Sequence, residues 1–153
     1  MKLPEKQRSP DYRALAEFRY RIRRYLRFSE QAARAAGLEP QQHQLLLALK
    51  GLPDKKRRTI SALAERLQIH HHTTVELVDR LEERGLVRRS RDKIDRRQVL
   101  VSPTSKGEEV LRDLSLHHLD ELESVGPELV QVLKKLVSRL GSEERRLRMV
   151  NEK

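Results

Sequence analysis

Residues 59–107 read TISALAERLQIHHHTTVELVDRLEERGLVRRSRDKIDRRQVLVSPTSKG, and this stretch decides the fold. Ile60, Leu63, Ala64 and Leu67 recur at i, i+3, i+4 and i+7, the spacing that gathers apolar side chains on one face of an α-helix. Thr74, Leu77, Val78 and Leu81 make a second such stripe. Gly85 follows directly, placed to take the left-handed conformation that ends a helix. A strand, a basic turn and a second strand come next. Two short helices in tandem, then a hairpin, form a helix-turn-helix with a wing. The fold class expected is mainly α with a small β-hairpin wing. Thr59 is the N-cap of the first motif helix, although Ala62 stands where a capping box would carry Glu.

Upstream, Leu15, Phe18, Ile22, Tyr25, Ser29, Ala32 and Ala36 step by three and four, which predicts a long helix over 11–36 closed by Gly37. Arg19, Arg21, Arg23, Arg24 and Arg27 crowd its middle and read as a solvated face. Pro40, at a first-turn position where its missing N–H costs nothing, opens a buried helix carrying Leu45, Leu46, Ala48, Leu49 and Leu52. Met1 to Pro10 reads as a mobile arm and Asp54 to Arg58 as a charged loop. Downstream, Thr104 caps a helix with Glu108 and Glu109 favourably near its positive end. That helix is expected to stop near Val125, Gly126-Pro127 breaking it and Pro127 opening a last helix with Leu129, Val132, Leu133, Leu136, Val137 and Leu140 on one stripe. Gly141 interrupts that helix. The organisation expected is a single winged-helix domain over 1–153, with 11–36 and 108–150 as dimerisation helices and 54–107 as the DNA-binding module.

The chain of 153 residues has 37% apolar and 37% charged residues, poor in the first and rich in the second. Thin helices sharing a core with a second subunit suit that composition. No apolar run is long enough to cross a membrane, and Met1 to Arg8 lacks the apolar centre of a secretory signal. The absence of Cys excludes disulfides and thiolate metal sites. A cytoplasmic protein is expected. The net charge is +10, and residues 53–107 carry 14 Lys and Arg against 8 Asp and Glu, whereas residues 108–153 carry 8 against 10. A basic front with a slightly acidic rear points to a polyanion.

With the 74/77/78/81 stripe facing inward, the second motif helix turns His72, Thr73, Glu76, Arg80 and Glu83 outward. The N-terminal part of a recognition helix meets base edges, so His71, His72 and Thr73 are candidates for base or phosphate hydrogen bonds, and Arg80 for phosphate. Glu76 can accept from a cytosine amino group or repel phosphate. In the wing, Arg91, Lys93, Arg96 and Arg97 surround Asp95, and a hairpin tip with Arg suits the negative minor groove. Arg57 and Arg58 read as a solvated loop.

RLEERGLVRR, then Asp95-Arg96-Arg97, then SPTSKG, resemble the MarR (multiple antibiotic resistance regulator) family of bacterial winged-helix repressors. The resemblance covers nearly the whole chain, and the order and spacing of the motifs carry it. Pro103 stands where the family more often has Leu, His70 and His71 where Ser or Pro is commoner, and Glu76 where basic or small polar residues are. The resemblance implies that Arg97 enters the minor groove with Asp95 bracing it, and that the end helices build a homodimer reading a palindromic operator in duplex DNA. It also implies release by a small, often aromatic and anionic effector, phenolic acids being candidates, with Tyr20, Arg24, Tyr25 and His43 as candidates for lining its pocket.

Other classes fit less well. No phosphate-binding loop, dinucleotide fingerprint, zinc-protease or nucleophile-elbow motif occurs, so no enzyme, catalytic residue or cofactor is expected. A metal-responsive regulator of the same fold would draw on His43, His117 and His118, but adjacent histidines on a helix do not share one ligand face, and no metal site is assigned. A sequence-tolerant architectural DNA-binding protein would share the basic wing, and differs in its affinity ratio and salt slope.

Overall fold

The computed structural model describes the backbone of residues 10–53 and 56–151 and, beyond residue 138, only the side chains of 141 and 142. The arm expected at the N-terminus lies, up to residue 9, outside the described residues, as do Asp54 and Lys55 of the charged loop. Along the chain come α1 (Tyr12–Ala35), α2 (Pro40–Gly51), α3 (Ile60–Leu67), α4 (His71–Glu83), β1 (Val87–Arg91), β2 (Val99–Pro103) and α5 (Ser105–Asn151). Two compact units result, residues 29–118 and the described parts of 1–28 with 119–153.

The unit of residues 29–118 is built on the two stripes read from the sequence. Leu63 and Ala64 of α3 and Thr74, Leu77, Val78 and Leu81 of α4 are buried, and they meet Leu45, Leu46 and Leu49 of α2 in one core. Val87 and Val101 close it from the hairpin, whose antiparallel register pairs Val87 with Pro103 and Arg91 with Val99. Thr59 caps α3, its Oγ1 accepting the Ala62 N–H at 3.2 Å. Thr59 also forms an isolated antiparallel bridge to Leu100, and the Val101 N–H donates to the Arg58 carbonyl at 2.8 Å, so the segment before α3 is tied to β2 without forming a strand of its own.

Gly85 ends α4 with φ 68°: its N–H donates to the Glu82 carbonyl, and the Leu86 N–H to that of Leu81, the Schellman arrangement. α3 closes with the same pair of bonds, but the left-handed residue is Gln68, φ 55°. Past the wing, the Thr104 Oγ1 accepts the Gly107 N–H at 3.1 Å and donates to the Gly85 carbonyl at 2.6 Å, fastening the start of α5 to the end of α4.

In the other unit, Asp11 caps α1 through the Ala14 N–H at 3.0 Å, and Arg21 pairs with Glu17 at 2.7 Å and with Glu128. Arg21 is therefore a partly covered ion-pair residue and not a bare member of a solvated face. Along the expected α1 seam, Leu15 is exposed and Phe18, Ile22 and Tyr25 are half-buried, while Ala14 is buried.

The break expected at Gly126-Pro127 does not occur. α5 is one helix of 47 residues that runs through Gly126, Pro127 and Gly141. A proline within a helix removes one donor and crowds both the carbonyl four residues back and the residue before it. Gly126 lacks the Cβ that would meet the proline ring, which eases the second clash, and apart from its chain neighbours and the helix's own backbone nothing lies within 4 Å of where that Cβ would stand. The Gly-Pro pair that reads as a stop is thus a tolerated passage.

Candidate DNA interface

The turn Gln68–His70 sets the N-terminus of α4 at the surface. His70 is extended, with φ −66° and ψ 151°, and its carbonyl accepts from both the backbone N–H and the Oγ1 of Thr74. Thr74 is thereby satisfied inside the core, which explains a polar residue on the inner stripe. Opposite that stripe His71, His72, Glu76 and Arg80 are exposed, and Thr73 is half-buried beside the turn. The rings of His70 and His72 stack, with centroids 5.5 Å apart and planes 11° from parallel. The five residues nominated on the recognition helix thus lie on or beside one solvent face.

The wing loop 92–98 is shaped by two carboxylates. Asp92, 5% exposed, accepts the Ile94 N–H at 3.0 Å through Oδ1, and its Oδ2 pairs with Arg57 at 2.5 Å. Burial of a carboxylate needs such a partner. Asp95 Oδ1 accepts the Arg97 backbone N–H at 3.1 Å, so Asp95 braces the turn that presents Arg97 through its main chain. Arg91 donates to the Arg96 carbonyl at 3.2 Å. Lys93, Arg96 and Arg97 are exposed, and among the described residues none of them forms an ion pair.

Two groups of basic residues have inward roles that their residue types did not reveal. The Arg89 guanidinium binds Asp79, Glu82 and the Val75 carbonyl, and the Arg89 backbone N–H donates to the Glu82 carboxylate at 3.0 Å, clamping β1 to α4. These bonds, the backbone one first, hold the Glu82 carboxyl below the ordinary carboxylate range. Burial works against the Arg89 charge, and the bonds to Glu82 and Asp79 outweigh it and raise its pKa. Arg57 is tied to Asp92, and Arg58 donates to the Leu49 carbonyl at 2.9 Å. The expected solvated loop is anchored at both residues.

Of the effector candidates, Tyr20 and Arg24 come together, the guanidinium 5.9 Å from the centre of the tyrosine ring. Burial first, then the Glu121 carboxylate, push the Tyr25 phenol up. His43 belongs to the unit of residues 29–118, where it is 2% exposed and its ring lies against that of His118, centroids 4.8 Å apart and planes tilted by 41°. Burial and then His118 lower its pKa, and its Nδ1 has no hydrogen-bond partner among the described residues. His118 is held by the Ser29 hydroxyl and the Leu114 carbonyl, each at 2.7 Å. Sequence reasoning named both histidines and missed the pair, since its members are 75 positions apart. Among the described residues no three His, Asp or Glu side chains are placed to hold a metal ion.

A recognition helix with an outward polar face, beside a hairpin with unpaired cations at its tip, defines a winged-helix DNA-binding fold. Residues 36–98 match the MarR family. Among solved structures, AbsC, a MarR family transcriptional regulator from Streptomyces coelicolor, is similar with a TM-score of 0.68 and 21% identity over 95% of this chain and 98% of its own. A point mutant of S. aureus MepR bound to an oligodeoxyribonucleotide gives 0.61 and 22% over 88% and 99%. CouR from Rhodococcus jostii RHA1 bound to p-coumaroyl-CoA gives 0.58 and 23% over 73% and 82%. No curated protein matches the chain by sequence. The family match covers the helix-turn-helix and most of the wing, and the fold of the chain is similar to that of MarR family transcription regulators.

Proposed function

We propose that the protein is a homodimeric, sequence-specific reader of duplex DNA that represses transcription in the cytoplasm and is released by a small ligand. The observation that carries the reading is the division of labour among its basic residues. Arg57, Arg58 and Arg89 are used internally, while Arg80, Lys93, Arg96 and Arg97 remain outward with His71, His72, Thr73 and Glu76. Charges left exposed on an α4-plus-wing surface suit phosphates and the minor groove. In a two-fold dimer the recognition helices would stand roughly 34 Å apart, one turn of B-DNA, and read a palindrome.

The oligonucleotide bound by the MepR mutant and the acyl-CoA bound by CouR support the DNA and effector parts of the reading. A ligand that binds the released state more tightly shifts the population away from the DNA-bound one. Tyr20, Arg24 and Tyr25 are nominated as effector contacts in the one unit and, separately, His43 in the other, where its buried Nδ1 has no hydrogen-bond partner among the described residues. Hydroxycinnamic acids and their thioesters are the first class to titrate against a DNA complex. If none weakens it, that class is excluded.

The deciding experiment recovers bound fragments from a genomic library at two salt concentrations and sequences them. A palindrome with half-sites about 10 base pairs apart is expected, with Arg97→Ala binding it more weakly. Enrichment without a motif, lost steeply as salt rises, would replace the regulator by a sequence-tolerant architectural protein.

A further inference from the structure

At the turn between β1 and β2 the chain carries an aliphatic side chain that the described protein does not cover. Ile94 is 84% exposed, more than any other large apolar side chain among the described residues. A lone exposed isoleucine is ordinary, but this one is held in place. The Asp92 carboxylate accepts its N–H and is itself fixed by Arg57. The Asp92 N–H donates to the Gln98 carbonyl at 3.1 Å and the Gln98 N–H to that of Asp95 at 2.9 Å, closing the loop beneath it. The tip is thus fixed from inside, and Ile94 stands out with Lys93 before it and Arg96 and Arg97 after it, all exposed.

Cations this dense attract a polyanion. The minor groove of duplex DNA offers them phosphates and negative potential, and its walls are deoxyribose C–H surface, which an aliphatic side chain can cover. We propose that Ile94 packs on the sugar walls of the minor groove while Arg96 and Arg97 meet the groove potential. This deepens the DNA-binding reading and rests on it. An aliphatic contact releases no counterions, so its contribution is independent of salt, unlike that of the arginines.

The test measures binding of the full-length wild type, Ile94→Ser and Arg97→Ala to the recovered operator at several salt concentrations, with hydroxyl-radical footprints of each complex. That reagent attacks sugars in the minor groove. Ile94→Ser is expected to bind about fivefold more weakly at every salt, in parallel with wild type, and to lose sugar protection at the outer edges of the site. Arg97→Ala is expected to lower the salt slope by about one. Binding by Ile94→Ser within about twofold of wild type, with protection unchanged, overturns the proposal and leaves the DNA reading intact. If the wild type protects no duplex at all, the DNA reading fails first.

Discussion

A Cβ added at position 107 would stand 2.0 Å from the Leu86 carbonyl oxygen, which already accepts the Thr104 N–H at 3.0 Å. Both groups are backbone, so neither can swing aside. Gly107→Ala is expected to cost about 3 kcal/mol or more, read as a lower urea midpoint at unchanged slope; a loss under about 1 kcal/mol would mean that α5 is not fastened at Leu86. The glycine is visible in the sequence, but its reason is not, because the opposing atom belongs to a main chain 21 positions earlier. Gln68 is the converse case. Its left-handed turn leaves no mark in composition, so the close of α3 was legible only as a loss of periodicity. Arg89 and Arg57 were legible as cations and illegible as clamps, since charge counting does not see partners. His43 allows a further prediction. Its folded pKa lies below the ordinary 6.5, so the unfolded state binds the proton more readily and stability rises with pH across that gap. The contribution is complete above about 6.5 and lost as pH falls below it. His43→Leu should flatten the fall in melting temperature between about pH 7 and pH 5; an identical fall in the variant would remove His43 as its source. The Glu82 contribution, from a depressed carboxylate, disappears only at lower pH, as the medium falls through its folded value.

At the scale of elements, the recognition module was legible almost residue by residue. The two stripes, the Thr59 and Thr104 caps and the Gly85 stop depend on neighbours three or four positions away, and local rules read such spacings. What local rules missed were the bridge from Thr59 to Leu100 and the continuity of α5. For α5, packing and the glycine before Pro127 override a stop signal that is sound in isolation. A testable consequence follows from the helix being unbroken. Pro127→Ala restores a missing donor and removes the ring's crowding of the preceding turn, so it should stabilise the protein by about 1–3 kcal/mol. A rise in melting temperature with unchanged or increased helical circular dichroism is the expected result. Were residues 126 and 127 a turn between two helices, alanine would be neutral or destabilising, since proline suits the first position of a helix.

At the scale of the whole molecule, the apolar side chains left uncovered have a pattern. In the unit of residues 1–28 with 119–153, Tyr12, Leu15, Leu119, Val130, Leu133 and Val137 are exposed. Val130, Leu133 and Val137 step by three and four along α5, one face of that helix. The sequence displayed an apolar stripe here, but could not separate its half-covered members, Leu129, Val132 and Leu136, from the bare ones, because that depends on packing between distant segments. An apolar face of this extent is what an interface looks like before its partner arrives, and the proposed homodimer supplies a second copy of the same face. Two-fold pairing makes each half-site contact the anchor for the other, so a weak module gains an effective concentration near the millimolar range from its twin. Leu133→Glu combined with Val137→Glu places four carboxylates across such an interface, two from each copy, and leaves the α4-plus-wing surface untouched. Sedimentation should then report a monomer with its thermal melt intact for residues 29–118, and affinity for the palindrome should fall by about 100-fold or more. A double variant that sediments as a dimer and binds at wild-type affinity would move the interface off α5. One that is monomeric yet binds undiminished would mean that a single recognition helix and wing suffice, and the palindrome would lose its structural reason.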